Sequence, residues 1–492
     1  MTTRRAIPDQ GEPAGDVLAA LAAGKADDTA WRQGRVFSLV YHAGDDHERL
    51  LAAAHASHAS SNLLNPIAFR SLRRLEAEVV EMAASLLHGP ASTVGAVTSG
   101  GTESLLVALC AYRDHARRHR PWIRRPEIVV PRTIHPAFDK AAHYFGLRLR
   151  KVEVGPDLRA DVDAMARAIT RRTILLVGSA PQYPHGVVDP IAALGAVAAR
   201  HDLPLHVDAC VGGFVLPWVE ALGRPVPTWD FRVDQVTSIS ADLHKYAYAG
   251  KGASVLLWRS MAWMKHQFFV AADFPGGAYV SPTLLGTRPG GPIAAAWAAL
   301  HSQGRAGYLA LTERALTAAD QLRAGIAAIP GLEVLGHGDA TIVAYAATSG
   351  GPDVFAVADR LEARGWSVDR QHRPTSIHLT VTANHLAHVE AYLADLRAAA
   401  AEVTADPHLR ASGNAAMYGM VAKVPVRGLI RGALRKVMED MYAPGAAHAP
   451  AGASAVADDG AIGRLLARHG DKVGAALDAL EQVRARLGRR RR

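Results

Sequence analysis

The sequence predicts an α/β fold: a large, mostly parallel sheet with helices on both faces, followed by a smaller C-terminal α/β domain. Three observations predict it. From about residue 71 to 307, short apolar runs alternate with longer helical stretches, and that β–α alternation builds a parallel sheet covered on both sides. The chain has 492 residues, more than one hydrophobic core usually organises, so at least two domains are expected. Two of the apolar runs end directly in an acid, Asp208, and a lysine, Lys245, and open α/β sheets bind ligands beyond such strand ends.

Taken in order, residues 1–70 form an N-terminal segment whose first 30 residues are polar and punctuated by Gly and Pro, as in a mobile or partner-draping arm. The large domain spans 71–307. It opens with a helix whose Leu72, Leu75, Val79, Met82 and Leu86 recur at three- and four-residue steps, one apolar stripe. Gly89-Pro90 stops it. Strands are expected at Ile128–Val130, Ile174–Gly178, Leu205–Val207, Val236–Ile239 and Val255–Trp258, with helices at 102–119, 136–145 and 190–201. The small domain, 308–442, follows a helix-rich stretch after Gly307. Its strands are Glu333–Leu335, Ala340–Tyr345 and Ser376–Val381, separated by helices at 352–365 and 384–400. Residues 443–457 read as a linker of small residues, and 458–492 as a C-terminal helix with a basic tail.

Composition excludes several classes. Hydrophobic residues are 49% and charged ones 21%, the balance of a folded globular chain rather than a disordered or fibrous one. No apolar run is long enough to span a bilayer, and the start MTTRRAIPDQGEPAGD lacks the apolar stretch of a secretory signal. Cys110 and Cys210 are too few for a disulfide framework or a zinc site, so no metal is expected and a reduced cytoplasmic location is. The net charge of +9 is concentrated at the end, where VRARLGRRRR holds six arginines. Without interleaved aromatic residues to stack on bases, that tail reads as a solvated end, and no nucleic-acid partner is expected.

Four stretches carry chemistry. In Ser238-Ile239-Ser240-Ala241-Asp242-Leu243-His244-Lys245 an apolar strand runs into a lysine. Burial there would lower its pKa and make the amine a nucleophile for carbonyl compounds. Taken alone, Lys245 is better read as a surface lysine at a strand exit. Asp208 ends the strand Leu205-His206-Val207 and suits the pyridinium nitrogen of a pyridoxal phosphate, although a helix cap is an equal reading. Ser99-Gly100-Gly101-Thr102 opens a helix, where free N–H groups and the dipole favour an anion. It matches neither a Walker loop nor a dinucleotide fingerprint, and alone it is simply a turn. His135 follows the strand Ile128–Val130 and is placed to lie on an aromatic cofactor or to be structural. Their order, each after its own strand, favours one site over four coincidences.

With those residues in view, the sequence resembles the pyridoxal phosphate-dependent decarboxylase superfamily of fold type I, and within it the sphingosine-1-phosphate lyase branch. The resemblance rests on TSGGTES (98–104), AYRD (111–114), HPAFDKAAHYF (135–145), APQYPHGVVDPI (180–191), HVDACVGGF (206–214), SISADLHKYAYAGKGAS (238–254) and GTRPGG (286–291), with echoes in PTSIHLTVT (374–382) and AMYGM (416–420). It implies a fold type I transferase-like architecture, pyridoxal 5'-phosphate as cofactor, and a homodimer with active sites at the subunit interface. By the resemblance, Lys245 is the Schiff-base lysine, His244 and Gly101-Thr102 hold the cofactor phosphate, Asp208 meets the pyridinium and His135 stacks on the ring. Thr287 would serve the partner's cofactor phosphate. Tyr183 would lie near the reacting carbons and Lys251 would touch a substrate phosphate, with Tyr41 contributed across the dimer.

Two departures stand out. The branch reads Asn-Pro-Leu-His where this chain has Asn62-Leu63-Leu64-Asn65, so Asn65 replaces a phosphate-binding histidine. Phe37-Ser38 replaces Ser-Gly, which implies a bulkier entrance. The expected activity is retro-aldol cleavage of a phosphorylated sphingoid-type amino alcohol to an aldehyde and phosphoethanolamine, with Tyr183 or His135 assisting proton transfer. The alternative is an amino-acid α-decarboxylase using the same cofactor residues. A binding protein that kept the fold is the third class, and Lys245 with Asp208 argues against it.

Overall fold

The computed structural model describes residues 6–26, 28–406, 409 and 427–443. Expectations for AMYGM (416–420), for the linker beyond residue 443 and for 458–492 lie outside them.

The large sheet contains β1 (Val94–Thr98), β2 (Glu127–Pro131), β3 (Arg148–Val152), β4 (Thr173–Ser179), β5 (Leu205–Asp208), β6 (Val236–Ala241) and β7 (Ser254–Trp258), in the order β1–β7–β6–β5–β4–β2–β3. Pairs β2–β3, β2–β4, β4–β5 and β5–β6 are parallel, and β7 runs antiparallel to both its neighbours. All five strands expected from sequence are present, and they are buried along their whole length. Strands covered on both faces carry buried apolar residues on both sides rather than in strict alternation, which is why they were visible. The two strands of this sheet that the sequence reading missed, β1 and β3, are its edges, and Phe269–Ala271, Tyr279–Ser281 and Asp369–His372 outside it were missed as well. β3, Arg-Leu-Arg-Lys-Val, leaves its charged residues at the surface, as an edge strand does to discourage further pairing.

The helix Arg70–Leu86 buries Leu72, Leu75 and Val79 as the spacing requires, with Val80, Ala83 and Ala84 beside them. Gly101–His119, Ala137–Phe145 and Ile191–Arg200 are the three helices expected between strands. The helix-rich stretch expected after Gly307 starts earlier: a helix runs Gly290–Ala327, broken at Gly304, whose φ of 53° is a conformation glycine alone adopts without strain. Within residues 1–30 there is a helix, Ala14–Ala23, none of whose residues is buried.

Strands β8 (Phe269–Ala271) and β9 (Tyr279–Ser281) form a hairpin, and β10 (Leu332–Leu335), β11 (Ile342–Ala347), β12 (Asp369–His372) and β13 (Thr375–Thr380) form a second sheet in the order β10–β11–β13–β12. By compactness the described residues divide into one unit of Trp31–Tyr345 with His378–Leu393, and another of those within 6–30, 346–377 and 394–443. Among the described residues no helix is long and apolar enough to cross a membrane.

One largely buried pair fastens the helix Arg70–Leu86 to the loop before Gly290, and Asn62 joins the N-terminal segment to the same loop. Arg288 is 5% exposed, bonds to both carboxylate oxygens of Glu76 and donates to Val97 O at 3.1 Å. Asn62 Oδ1 accepts from the N–H groups of Leu64 and Arg288, each at 3.0 Å. Removing one partner of a buried pair strands the other charge. Glu76→Ala is therefore expected to cost about 3–5 kcal/mol, read as a lowered urea midpoint, and Glu76→Gln, which still accepts one hydrogen bond, less.

Candidate active site

The parallel strands deliver their polar residues to one edge of the sheet. From β2 the chain goes out to β3 on one side and to β4, β5 and β6 on the other, and ligands sit beyond the carboxyl ends of strands at such a reversal. A cavity of about 640 Å³ lies there, lined by residues of the larger unit alone. Of the residues singled out from sequence, Gly101, Thr102, His135, Tyr183, Asp208, His244 and Lys245 all line it, together with Tyr41 and Lys251.

Lys245 lies one turn beyond β6. Its Nζ is 2.9 Å from Asp242 Oδ2, and Asp242 is 3% exposed. Burial pulls the lysine pKa down, as the sequence reading supposed, but the carboxylate of Asp242, with Asp208 behind it, pulls it up by more, so the ammonium is held above the ordinary lysine value. The expectation of a lowered pKa is therefore reversed. Its cause, an acid three residues before the lysine, was in the sequence and was overlooked. Burial likewise works to raise the Asp242 carboxyl, and Lys245 and His244 overcome it, so the carboxyl stays below the usual range.

His244 is depressed mainly by burial. Its Nδ1 and Asp242 Oδ1 are buried without a hydrogen-bond partner among the described residues. Asp208 ends β5, and its Oδ1 accepts from Cys210 N–H at 3.1 Å. Cys210 is buried against Ser240, Sγ to Oγ 3.4 Å, and burial first, then Asp208, pushes its thiol well up, so it stays protonated. His135 Nδ1 accepts from Ala137 N–H at 3.2 Å, which places the proton of the neutral ring on Nε2. Tyr183 stacks on His378 with ring centroids 4.2 Å apart.

The helix Gly101–His119 starts without a side-chain cap, after Gly100 at φ 152°. A Cβ on Gly101 would come within 2.8 Å of Asp242 Oδ1 and Cys210 Sγ, so glycine is required for the close approach of helix start and strand end. Glu103, which the sequence reading passed over, is buried and accepts from Ser99 N–H at 2.6 Å and Leu284 N–H at 3.0 Å. It ties the glycine turn to the loop that carries Thr287.

The mouth of the cavity differs from expectation. Phe37 is not an entrance residue. It is 1% exposed and stacks on His385 at 4.3 Å; the entrance is lined instead by Leu39, held at φ 62°. Lys251 donates to Leu39 O at 2.6 Å and His244 O at 3.2 Å. Its Nζ sits 5.1 Å from the ring of Tyr41, which meets Tyr246 edge-on at 5.0 Å. Lys251 is exposed along its length, but desolvation of its ammonium among these groups, and secondarily Lys245, push its pKa down to about 8. Tyr41, expected from across a dimer, thus lines its own chain's cavity. Thr287 and Asn65 do not line it: both are exposed, and Asn65 Oδ1 is taken by the N–H groups of Ile67 and Ala68 at 3.2 and 3.1 Å.

The cavity suits pyridoxal phosphate on its own chemistry: an amine and an acid at adjacent strand ends, an uncapped helix start for a phosphate, and two buried polar atoms without partners. Comparison with known proteins agrees. The sequence model of the pyridoxal-dependent decarboxylase conserved domain matches residues 6–347. The sphingosine-1-phosphate lyase of Oryza sativa subsp. japonica is 42% identical over 446 residues, covering 89% of this chain and 82% of that protein. Among solved structures, the sphingosine-1-phosphate lyase of Burkholderia pseudomallei K96243 superposes with a TM-score of 0.79 at 39% identity, over 82% of this chain and 94% of the other. Glutamate decarboxylase of Lactobacillus brevis, 21% identical, shares the fold with a TM-score of 0.71, over 82% of this chain and 96% of that one. The chain belongs to the pyridoxal-dependent decarboxylase family, in its sphingosine-1-phosphate lyase branch, and is a pyridoxal phosphate-dependent lyase.

Proposed function

We propose that the protein cleaves a phosphorylated amino alcohol of sphingoid-base type between Cα and Cβ, releasing an aldehyde and phosphoethanolamine. The observation that carries this reading is Lys251: a second cation in the same cavity as Lys245, with a role for a substrate anion that a cofactor site alone does not need. The identity to sphingosine-1-phosphate lyases supports it.

Bound pyridoxal phosphate supplies an aldehyde that joins to amines and a protonated ring that takes up the electron pair left at Cα when a neighbouring bond opens. In this reading Lys245 is the amine for that aldehyde, and Asp242 holds and receives its proton. Asp208 keeps the ring nitrogen protonated. The N–H groups at Gly101 and Thr102, with His244, receive the phosphate, and His135 covers the ring. Tyr183 and His135 both face the cavity and are the two candidates to take the hydroxyl proton of the substrate. Lys251 meets the substrate phosphate as a point charge, with Tyr41 beside it. Thr287 and Asn65 are exposed away from their own cavity, which supports a homodimer in which each serves the partner's site. The two-cysteine, unpaired chain supports a cytoplasmic setting.

Incubation with a phosphorylated amino alcohol is expected to yield aldehyde and phosphoethanolamine, whereas release of carbon dioxide from an amino-acid panel without aldehyde would replace this reading with a decarboxylase. Lys245→Ala is expected to abolish turnover and the visible absorbance of the reconstituted protein while leaving its assembly intact by light scattering. Asp242→Asn removes the largest influence holding Lys245 protonated, so the pH midpoint for cofactor attachment should fall, followed by absorbance across a pH series. A lysine lowered to about 8 is charged below that pH and loses its charge as pH rises through it. KM for the phosphorylated substrate should therefore climb above about pH 8, and Lys251→Ala should raise KM at neutral pH and flatten the climb.

A further inference from the structure

Far from this cavity, at the other end of the helix Gly101–His119, three imidazoles converge. His115 and His119 are four residues apart on that helix, so they share one face, and His266 comes from the one-turn helix Lys265–Gln267 packed against it. One ring nitrogen from each lies within 4.8 Å of the others. We propose that His115, His119 and His266 bind a divalent transition-metal ion of the zinc–nickel class, with water in the remaining positions.

Two details point to a ligand rather than to stacked rings alone. His119 Nδ1 is 2.8 Å from His115 O. A carbonyl only accepts, so Nδ1 carries the proton and Nε2 presents a lone pair, the arrangement that fixes the tautomer of a metal-binding imidazole. His266 Nε2 is buried with no hydrogen-bond partner among the described residues, and an unpaired buried nitrogen is costly unless something fills its valence. The rings are already held in place. His115 stacks on His119 at 4.1 Å and packs on Trp263 at 4.4 Å, with His266 edge-on at 5.1 Å. Ligand nitrogens around a tetrahedral ion with bonds near 2.1 Å stand about 3.4 Å apart, so closure needs only small side-chain rotations.

Charge and ligand type select the ion. The carboxyl end of a helix favours a cation, while Arg118, Arg120 and Lys265 nearby oppose one. The ion is thus held by coordination, which three imidazoles offer to zinc, nickel, cobalt or copper and not to magnesium or calcium. The site is structural. Thr102 and His115 are thirteen residues apart on one helix, about 20 Å at 1.5 Å per residue. A metal there clasps the helix end to the segment that continues through Gln267, which donates to Pro282 O at 2.7 Å, towards the loop bearing Thr287.

The test is calorimetric titration of untagged, chelator-treated holoenzyme with nickel chloride and with zinc chloride, alongside its Trp263 fluorescence. One equivalent is expected to bind with quenching by nickel, and the quenching should disappear in Trp263→Phe. His119→Ala, at an exposed position, and His266→Ala should each weaken binding by about 100-fold, with lyase turnover of His119→Ala unchanged. Absence of stoichiometric binding, or equal affinity in wild type and His119→Ala, overturns the proposal. Should His266→Ala fail to fold, His119→Ala alone decides.

Discussion

The pairing of Asp242 with Lys245 is the constraint on which the site depends. Two opposite charges sit at the end of a fully buried strand, the acid 3% exposed and 2.9 Å from the amine. Bringing ions out of water costs several kcal/mol each, and a pair recovers this only when its remaining polar atoms are also satisfied. Here they are not: Asp242 Oδ1 and the neighbouring His244 Nδ1 are left without partners among the described residues. A strand end that is polar, buried and incomplete is a site built for something the polypeptide does not itself supply. Family membership says what that is. The same pair sets the chemistry of the amine, because it keeps Lys245 charged until a proton can leave towards Asp242.

Around this pair the backbone leaves little freedom. Gly101 must be glycine for the helix start to approach Asp242 and Cys210. Glu103 then fastens that turn to Leu284, and Arg288 in the following loop is held by Asn62 of the N-terminal segment and by Glu76 of the helix Arg70–Leu86. The glycine turn, the loop of Thr287 and the segment of Asn65 are thereby one connected framework. In the proposed dimer, residues presented to a partner would be positioned by the same hydrogen bonds that shape the chain's own cavity, so cofactor binding and assembly would be mechanically linked.

Much of this was legible in the sequence, for a physical reason. Central strands are buried, rich in branched apolar residues and end abruptly, so Lys245, Asp208 and His135 could each be assigned to a strand exit, and the structure gathers them in one cavity. Edge strands carry no such signature, and β3 was missed because its exposed Arg148 and Lys151 read as loop. What failed were inferences that turn on distance rather than pattern. The direction of the Lys245 shift depends on whether Asp242 lies beside it, and spacing of three residues suggests but does not measure that. Phe37 was assigned to the entrance by its place in a motif, yet its partner His385 lies far along the chain. The same limit hid the histidine cluster: His115 and His119 stand at helical spacing in plain view, but only the fold brings His266 to them.

The departure at Asn65 can now be weighed against Lys251. A histidine at that position could offer a positive charge, whereas an asparagine offers none, and the carbonyl oxygen of Asn65 is already occupied by the N–H groups of Ile67 and Ala68. In the proposed reading, loss of that charge would leave more of the anion recognition to Lys251, whose Nζ donates to the carbonyl oxygens of Leu39 and His244. Those carbonyls orient the ammonium at the cavity mouth, yet its desolvation and the charge of Lys245 lower its pKa to about 8. An arriving phosphate dianion would reverse that lowering, since a nearby anion favours the protonated amine. In the proposed reading, Lys251 is therefore charged at neutral pH with or without substrate, and a bound phosphorylated substrate keeps it charged above about pH 8, where the free site loses that charge. In that reading the phosphate strengthens the very group that binds it, and an unphosphorylated amino alcohol, which carries no anion, would gain nothing from the same residue.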